Sequence, residues 1–161
     1  MALTWAYGVA DDSTGVRRLP AVHNDNAFSS IVYWRKSLWN GVRCVPVLMS
    51  LQQHRLRAYD RNGQLVFDVP AGEVSGRLTR FGTLLLTVGG KRYAIVGRGS
   101  DVSPSPSTGQ RQSQQDFWRN RPAPAAAGGG PGVFDAIANG SAAWHMRLWR
   151  DALASSHARV A

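Results

Sequence analysis

Between residues 42 and 99, short apolar runs alternate with tight turns, and no helix-length segment interrupts them. Leu65, Phe67 and Val69 alternate with Val66 and Asp68, which is typical of a strand with one buried face. Two runs are separated by Asn62-Gly63 and two by Gly89-Gly90, and such pairs are the strongest short-range signals of a β-hairpin. The segment therefore predicts six short strands in an antiparallel meander and excludes parallel βαβ units.

The edges of such a sheet bear on its overall shape. A strongly twisted sheet hides its edges by curling, which predicts a closed barrel or a sandwich. Pro46 lies inside the first apolar run and favours an edge position or a bulge, because proline cannot donate a ladder hydrogen bond. Residues 25–41 leave two alternatives open, since Phe28, Ile31 and Val32 have helical spacing while the segment 31–34 is also a good β run.

Composition divides the chain into four parts. Residues 1–24 are interpreted as an N-terminal extension, and residues 25–99 as the β-barrel domain. Residues 100–132 are rich in Ser, Pro, Gln, Ala and Gly, which predicts a flexible linker. Residues 133–158 have the apolar stripe of an amphipathic helix, capped at Ser141. This helix is predicted to pack on the barrel and plug one end through Trp144, Leu148 and Trp149.

The chain has a formal net charge of +9, and the excess lies mainly in residues 31–100, with eleven basic and three acidic side chains. Such a field attracts polyanions. Seventeen of the nineteen basic residues are arginine, a bias that a GC-rich genome also produces without any ligand. The positive surface is therefore either functional or compositional.

Basic residues near the predicted hairpins are the candidate ligand-binding groups. Arg55 and Arg57 lie two apart on one strand and point the same way. Guanidinium groups bind phosphate or carboxylate through two hydrogen bonds each. The full candidate set is Arg35, Lys36, Arg43, Arg55, Arg57, Lys91 and Arg92.

Patterns that carry catalysis are absent from the sequence. The four histidines have no cysteine or carboxylate at ligand spacing, which predicts no metal site. The sequence contains neither a phosphate-binding Gly-x-x-x-x-Gly-Lys-Ser/Thr loop nor a Gly-x-Ser-x-Gly elbow. We therefore expect no enzymatic activity and no cofactor. Cys44 is predicted to be a buried small hydrophobe. With no signal peptide and no membrane-length apolar run, a cytoplasmic location is expected.

The segment from Val47 to Asp60 resembles the opening hairpin of pleckstrin-homology-like domains and their GRAM-type relatives. An apolar strand turns, and the next strand begins Arg55-Leu56 and ends at Tyr59; Gly63 to Pro70 and Leu84 to Val96 resemble the later strands. The resemblance implies a barrel of two near-orthogonal sheets with one open end plugged by a helix. A long segment separates Val96 from Trp144, and no lysine precedes the first turn, so the chain departs from the family pattern at both places. Its Arg, Ala and Gly bias is similar to that of small actinobacterial proteins.

The sequence therefore predicts a mainly β protein with α content, and a noncatalytic binding or adaptor module. The expected partner is a protein segment or an anionic lipid headgroup. One alternative is a single-stranded nucleic-acid-binding barrel, because aromatic residues interleaved with arginine can stack bases. Another is a structural subunit of a larger assembly, with Phe117 and Trp118 docking to a partner.

Overall fold

The computed structural model describes residues 27–36, 44–120 and 141–161. These residues form eight strands, two α-helices and one 3₁₀ turn. The strands are β1 (Phe28–Arg35), β2 (Cys44–Gln52), β3 (Arg55–Tyr59), β4 (Leu65–Pro70), β5 (Ser75–Leu78), β6 (Thr83–Val88), β7 (Lys91–Val96) and β8 (Arg159–Val160). The helices are α1 (Thr108–Arg119) and α2 (Ala142–Ser155), and Ala71–Glu73 is the 3₁₀ turn.

The strands join in one sheet in the order β4-β3-β2-β1-β7-β6-β5-β8. Strands β1 to β4 form one antiparallel meander and β5 to β7 form a second, and the two meet where β1 pairs with β7. The six strands predicted between residues 42 and 99 are confirmed as β2 to β7. Of the two alternatives for residues 25–41, the strand is observed in the described part of that range, where β1 pairs along its whole length with the apolar strand β2.

Of the two predicted shapes, the sandwich is compatible with the observed sheet, whereas a closed, antiparallel barrel is wrong. The sheet is open, with β4 and β8 at its ends, because the 3₁₀ turn carries the chain from β4 to β5 without pairing them. The sheet is also mixed, since β8 runs parallel to β5. Only Tyr33 to Arg35 of β1 pair with β7, and α2 contacts β5, β6 and β7.

The core lies between the inward faces of the two meanders and α2. Strand β6 shows the alternation clearly, since Leu84, Leu86 and Val88 are buried while the residues between them are half-buried. Helix α2 contributes Met146, Trp149 and Leu153, all fully buried. Trp149, one of the residues of the predicted helix plug, is thus part of the core.

The other two residues of the predicted plug lie further out. Leu148 is partly buried against the core, whereas Trp144 is half-buried and does not belong to it. The inner positions are taken instead by Met146 and Leu153, which follow the helical spacing from Trp149.

Part of the predicted flexible linker is a helix. Helix α1 occupies residues 108–119 and begins in a capping box, in which Ser107 and Gln110 each bond the other's backbone N–H. The sequence of this segment is mostly polar and has no apolar helical stripe, because the side chains through which α1 contacts the sheet, such as Gln110 and Trp118, are few and widely spaced. The remaining predicted linker residues 121–132, the N-terminal extension 1–24 and residues 133–140 of the C-terminal segment lie outside the described residues.

Candidate anion-binding face

Strands β1, β7, β6, β5 and β8 present one face away from the core, and its side chains can be read off the strand register. Across one rung, Arg35 of β1 is level with Ala94, Leu85 and Arg77 on the next three strands. Side chains on paired rungs point to the same side of a sheet. Since Leu84, Leu86 and Ile95 point into the core, this rung points outward.

The neighbouring outward rung has the same design. Arg92 of β7 is level with Thr87, Ser75 and Arg159 on β6, β5 and β8. Each rung therefore has an arginine at both ends and small or apolar residues between them. The basic residues here, Arg35, Lys36, Arg77, Arg92 and Arg159, are called the basic face below.

The basic face borders a cavity of about 650 Å³. All five of its residues line this cavity, together with the hydroxyl-bearing Ser75 and Thr87, and the described lining contains no acidic residue. Within the described part of the chain, none of the five forms an ion pair. The Nε of Arg35 is buried and has no hydrogen-bond partner there. The arrangement can therefore bind a phosphate or carboxylate by guanidinium forks, assisted by hydroxyl groups.

The structure brings together some predicted basic residues and separates others. Arg35 and Arg92 lie on the outward rungs, and Lys36, which follows β1, lines the same cavity. Lys91 lies on the opposite side of β7, with its Nζ 5.7 Å from the Trp34 ring centroid and 5.6 Å from that of Tyr93. The Nζ of Lys36 also reaches the Trp34 ring, at 5.0 Å. Arg43 lies outside the described residues.

Two arginines of the face were missed by the sequence analysis. Arg77 lies in the weakly patterned strand β5, and its exposed position in the alternation was the available signal. No local sequence pattern identifies Arg159, because its strand β8 is only two residues long and is defined by its parallel pairing with β5.

Arg55 and Arg57 form a separate group in the other meander. Both contact the Asp68 carboxylate on β4, with Nε–O distances of 2.9 and 3.3 Å. The hydrogen bond from Arg55, assisted by Arg57, holds the pKa of Asp68 below its usual value. Across β2, Arg57 is level with Ser29, which lies at the opposite end of β1 from Arg35. This pair is thus partly neutralised and distant from the basic face.

The predicted partner-docking residues lie at the end of α1. The Trp118 indole N–H donates to the Ser29 carbonyl at 3.0 Å, and its ring packs edge-on to Phe28 with centroids 5.8 Å apart. The Phe117 ring is half-buried and lies 5.3 Å from that of Trp118. Trp118 therefore fastens α1 to β1 within this chain.

A serine–histidine pair is present, but it is buried. Ser30 Oγ lies 2.7 Å from His145 Nε2, and the Trp149 indole N–H donates to the same oxygen at 2.8 Å. This distance suits an activated nucleophile. However, Ser30 is 0% exposed and His145 is 4% exposed, so no substrate reaches them. The three side chains form a structural link between β1 and α2.

A second cavity, of about 390 Å³, lies between the start of α1 and the β3–β4 hairpin. Asp60 lines it, but Asp60 Oδ1 already accepts the backbone N–H groups of Asn62 and Gln64 at 2.8 and 2.9 Å. These bonds serve the turn, and the lining includes only one cation, Arg61. The basic face is the stronger candidate site.

Other classes of site are not seen in the described ranges. No group of three or more His, Cys, Asp or Glu side chains is placed to hold a metal ion there. Cys44 is buried, as predicted. Neither described helix has the length and apolar character needed to cross a membrane. No protein-family model matches the chain, and no curated protein matches it in sequence.

Proposed function

We propose that the protein is a noncatalytic, pleckstrin-homology-like binding module whose basic face binds an anionic lipid headgroup. The observation that carries the proposal is the convergence of four arginines and one lysine on a single cavity, with no acidic side chain among the lining residues that the structure describes. Arg35, Arg77, Arg92 and Arg159 come from four different strands, so the rigid sheet sets their spacing.

The resemblance seen in the sequence supports the same proposal. It implies two sheets with a helix plugging one end. The two meanders that meet at β1 and β7, with α2 buried against the second of them, are compatible with that layout. The open gap between β4 and β5 and the added strand β8 are the two features in which the chain differs from that layout.

Phosphate groups fit the basic face better than nucleic-acid bases do. Base recognition on a single strand needs exposed aromatic platforms beside the cations. Among the described residues that line the cavity, Tyr93 is the one aromatic residue, and it is 5% exposed. The described lining thus offers charge and hydroxyl groups but no accessible ring, which favours a phosphate-bearing headgroup over single-stranded nucleic acid.

Co-sedimentation of the full chain with vesicles tests the proposal. We expect binding to vesicles of phosphatidylcholine and phosphatidylserine in equal parts, and none to phosphatidylcholine alone. Replacing Arg77 and Arg92 by glutamine should weaken binding about thirtyfold, because each cation near an anionic surface contributes about 1 kcal/mol.

The matched control replaces Arg61 and Arg111 by glutamine, which removes the same charge from exposed positions outside the basic face. We expect this control to change the affinity little. Equal losses in both variants would show that only the scattered net charge matters. Tighter binding to a single-stranded oligonucleotide than to the vesicles would favour the nucleic-acid alternative.

A further inference from the structure

The β5–β6 turn carries the most exposed large apolar side chain in the described part of the chain. Phe81 is 79% exposed, compared with 56% for Leu65 and 59% for Val102. Isolated apolar residues are common on protein surfaces, so this exposure carries meaning only together with what surrounds the ring.

The turn that carries Phe81 is held firmly. The Thr79 N–H donates to the Thr83 carbonyl at 2.9 Å, and the Thr83 N–H donates to Thr79 Oγ1 at 3.1 Å. Gly82 has a φ of +74° and packs so closely on α2 that a Cβ there would lie 2.9 Å from Ala143. The aromatic ring is therefore presented to solvent by a built turn, which we call the Phe81 tip (residues 79–82).

Cations surround the Phe81 tip. The Arg80 guanidinium lies over the Phe81 ring, 4.6 Å from its centroid. Arg147 and Arg150 of α2 border the same shallow cavity of about 180 Å³ as Arg80. Arg150 pairs with Asp151 at 2.7 Å, which leaves Arg80 and Arg147 without an ion pair to any described residue. The tip thus combines an exposed aromatic ring, the Arg80 guanidinium over that ring and a neighbouring cavity bordered by Arg147, and this combination is complementary to an anionic bilayer surface.

The Phe81 tip is also continuous with the basic face. Arg77 belongs to β5, which ends at Leu78, and the tip begins at the next residue. The chain between Arg77 and Phe81 is therefore shorter than an average strand. A ring seated at the boundary between headgroups and acyl chains thus brings the Arg77 end of the basic face close to headgroup level.

We infer that the Phe81 tip is a membrane wedge, in which the Phe81 ring enters the interface of an anionic bilayer while Arg80 and Arg147 contact its phosphates. The inference rests on the proposed headgroup binding and adds the orientation of the domain on the membrane. It assigns the vesicle affinity to two separate contributions: the attraction of the cations to anionic headgroups, and the insertion of the Phe81 ring into the bilayer interface.

The first test places a fluorescent probe on the tip. Cys44 is 3% exposed, so a Phe81→Cys variant has one accessible thiol for an environment-sensitive dye. Leu65→Cys is the matched control, because Leu65 is also a well-exposed apolar residue but lies on β4 in the other meander. With the phosphatidylserine vesicles we expect a blue shift of the dye at position 81 and none at position 65.

The second test measures affinity. Phe81→Ser should weaken vesicle binding about tenfold, because the variant loses the transfer of one aromatic ring from water. Binding of short-chain phosphatidylserine, kept below its micelle concentration and followed by ¹⁵N chemical shifts, should be unchanged. A retained far-ultraviolet circular dichroism spectrum shows that the variant is folded.

The outcomes separate the two proposals. A shift at both labelled positions, or vesicle binding without a shift at position 81, overturns the wedge and leaves headgroup binding intact. Absence of binding to both the vesicles and the short-chain lipid overturns the proposed function and the wedge together.

Discussion

At the scale of single residues, His145 shows how burial defines a role that its sequence position conceals. An indole N–H can only donate, so Ser30 Oγ accepts from Trp149, and the same oxygen shares a hydrogen bond with His145 Nε2. Burial lowers the pKa of His145 below its usual value, and a hydrogen bond with the backbone of Gly97 acts in the opposite direction.

The lowered pKa predicts an acid-sensitive fold. Since the folded-state pKa of His145 lies below the unfolded value of about 6.5, protons bind preferentially to the unfolded chain. The stabilisation from neutral His145 is complete above that value and is lost as the pH falls below it. Urea unfolding should therefore show a lower midpoint at pH 5 than at pH 8, and His145→Gln should flatten this dependence.

His54 provides the control, because it is exposed and lies outside the core. The His54→Gln variant should keep the pH dependence of the original protein. An unchanged slope in His145→Gln would mean that another group is responsible for the acid sensitivity.

At the scale of elements, α1 supplies hydrogen bonds to carbonyls that lie where strand neighbours are missing. Strand β3 pairs with β2 only from Leu48 onward, so the Pro46 carbonyl has no β3 partner and accepts from Gln110 Nε2 at 3.1 Å. Strand β7 pairs with β1 only from Tyr33 to Arg35, so the Ser29 carbonyl has no β7 partner. It accepts a hydrogen bond from the Trp118 indole N–H instead.

The spacing of these two contacts suits the geometry of a helix lying along a strand. The two donors, Gln110 and Trp118, are eight residues apart on α1. One acceptor is Ser29 of β1, and the other, Pro46 of β2, is level with Tyr33, so the acceptors are four residues apart along β1. Because a helix rises about half as far per residue as a strand does, the two spacings match. One straight helix can therefore make both hydrogen bonds.

This docking predicts different effects of two glutamine substitutions on the same helix. Gln110→Leu should lower the free energy of unfolding by about 1–3 kcal/mol, because it leaves a buried carbonyl unpaired and removes half of the capping box. Gln112 is exposed on the same helix, so Gln112→Leu should leave the free energy of unfolding nearly unchanged. Chemical denaturation measures both, and equal effects would contradict the docking role of Gln110.

At the scale of the whole molecule, folding gathers basic residues that are scattered along the sequence onto particular surfaces. Asp68 neutralises part of the charge in the first meander, whereas Asp116 and Asp151 pair with arginines of their own helices. The basic face and the Phe81 tip keep their cations without described ion pairs. The unpaired cations are therefore concentrated on the basic face and at the Phe81 tip, whereas Arg55 and Arg57 of the first meander share one carboxylate.

This asymmetry predicts the salt dependence of vesicle binding. The affinity for phosphatidylserine vesicles should fall about tenfold from low to physiological ionic strength, because exposed cations are screened over about 8 Å. The ratio of affinities between the original protein and Phe81→Ser should stay constant, since salt at these concentrations hardly affects apolar burial. Vesicle sedimentation at two salt concentrations measures both quantities, and a flat salt dependence would contradict an electrostatic basic face.

Local patterns predicted much of the fold. The hairpins of the second meander follow from period-two alternation and from glycine pairs that adopt positive φ at Gly89 and Gly90. The helical stripe around Trp149 and the burial of Cys44 follow equally from local pattern. By contrast, α1 was concealed in a polar segment, because its stability depends on contacts with β1 and β2 that are distant in the chain.

The sequence by itself determined which segments become strands, where they turn and that positive charge accumulates around them, because these properties depend on neighbours a few residues apart. Only the tertiary structure decided that the sheet stays open, that Arg55 and Arg57 share Asp68, and that Arg77 and Arg159 join Arg35 and Arg92. Those outcomes depend on strand order and register, which bring together residues far apart in the chain and which no local pattern encodes.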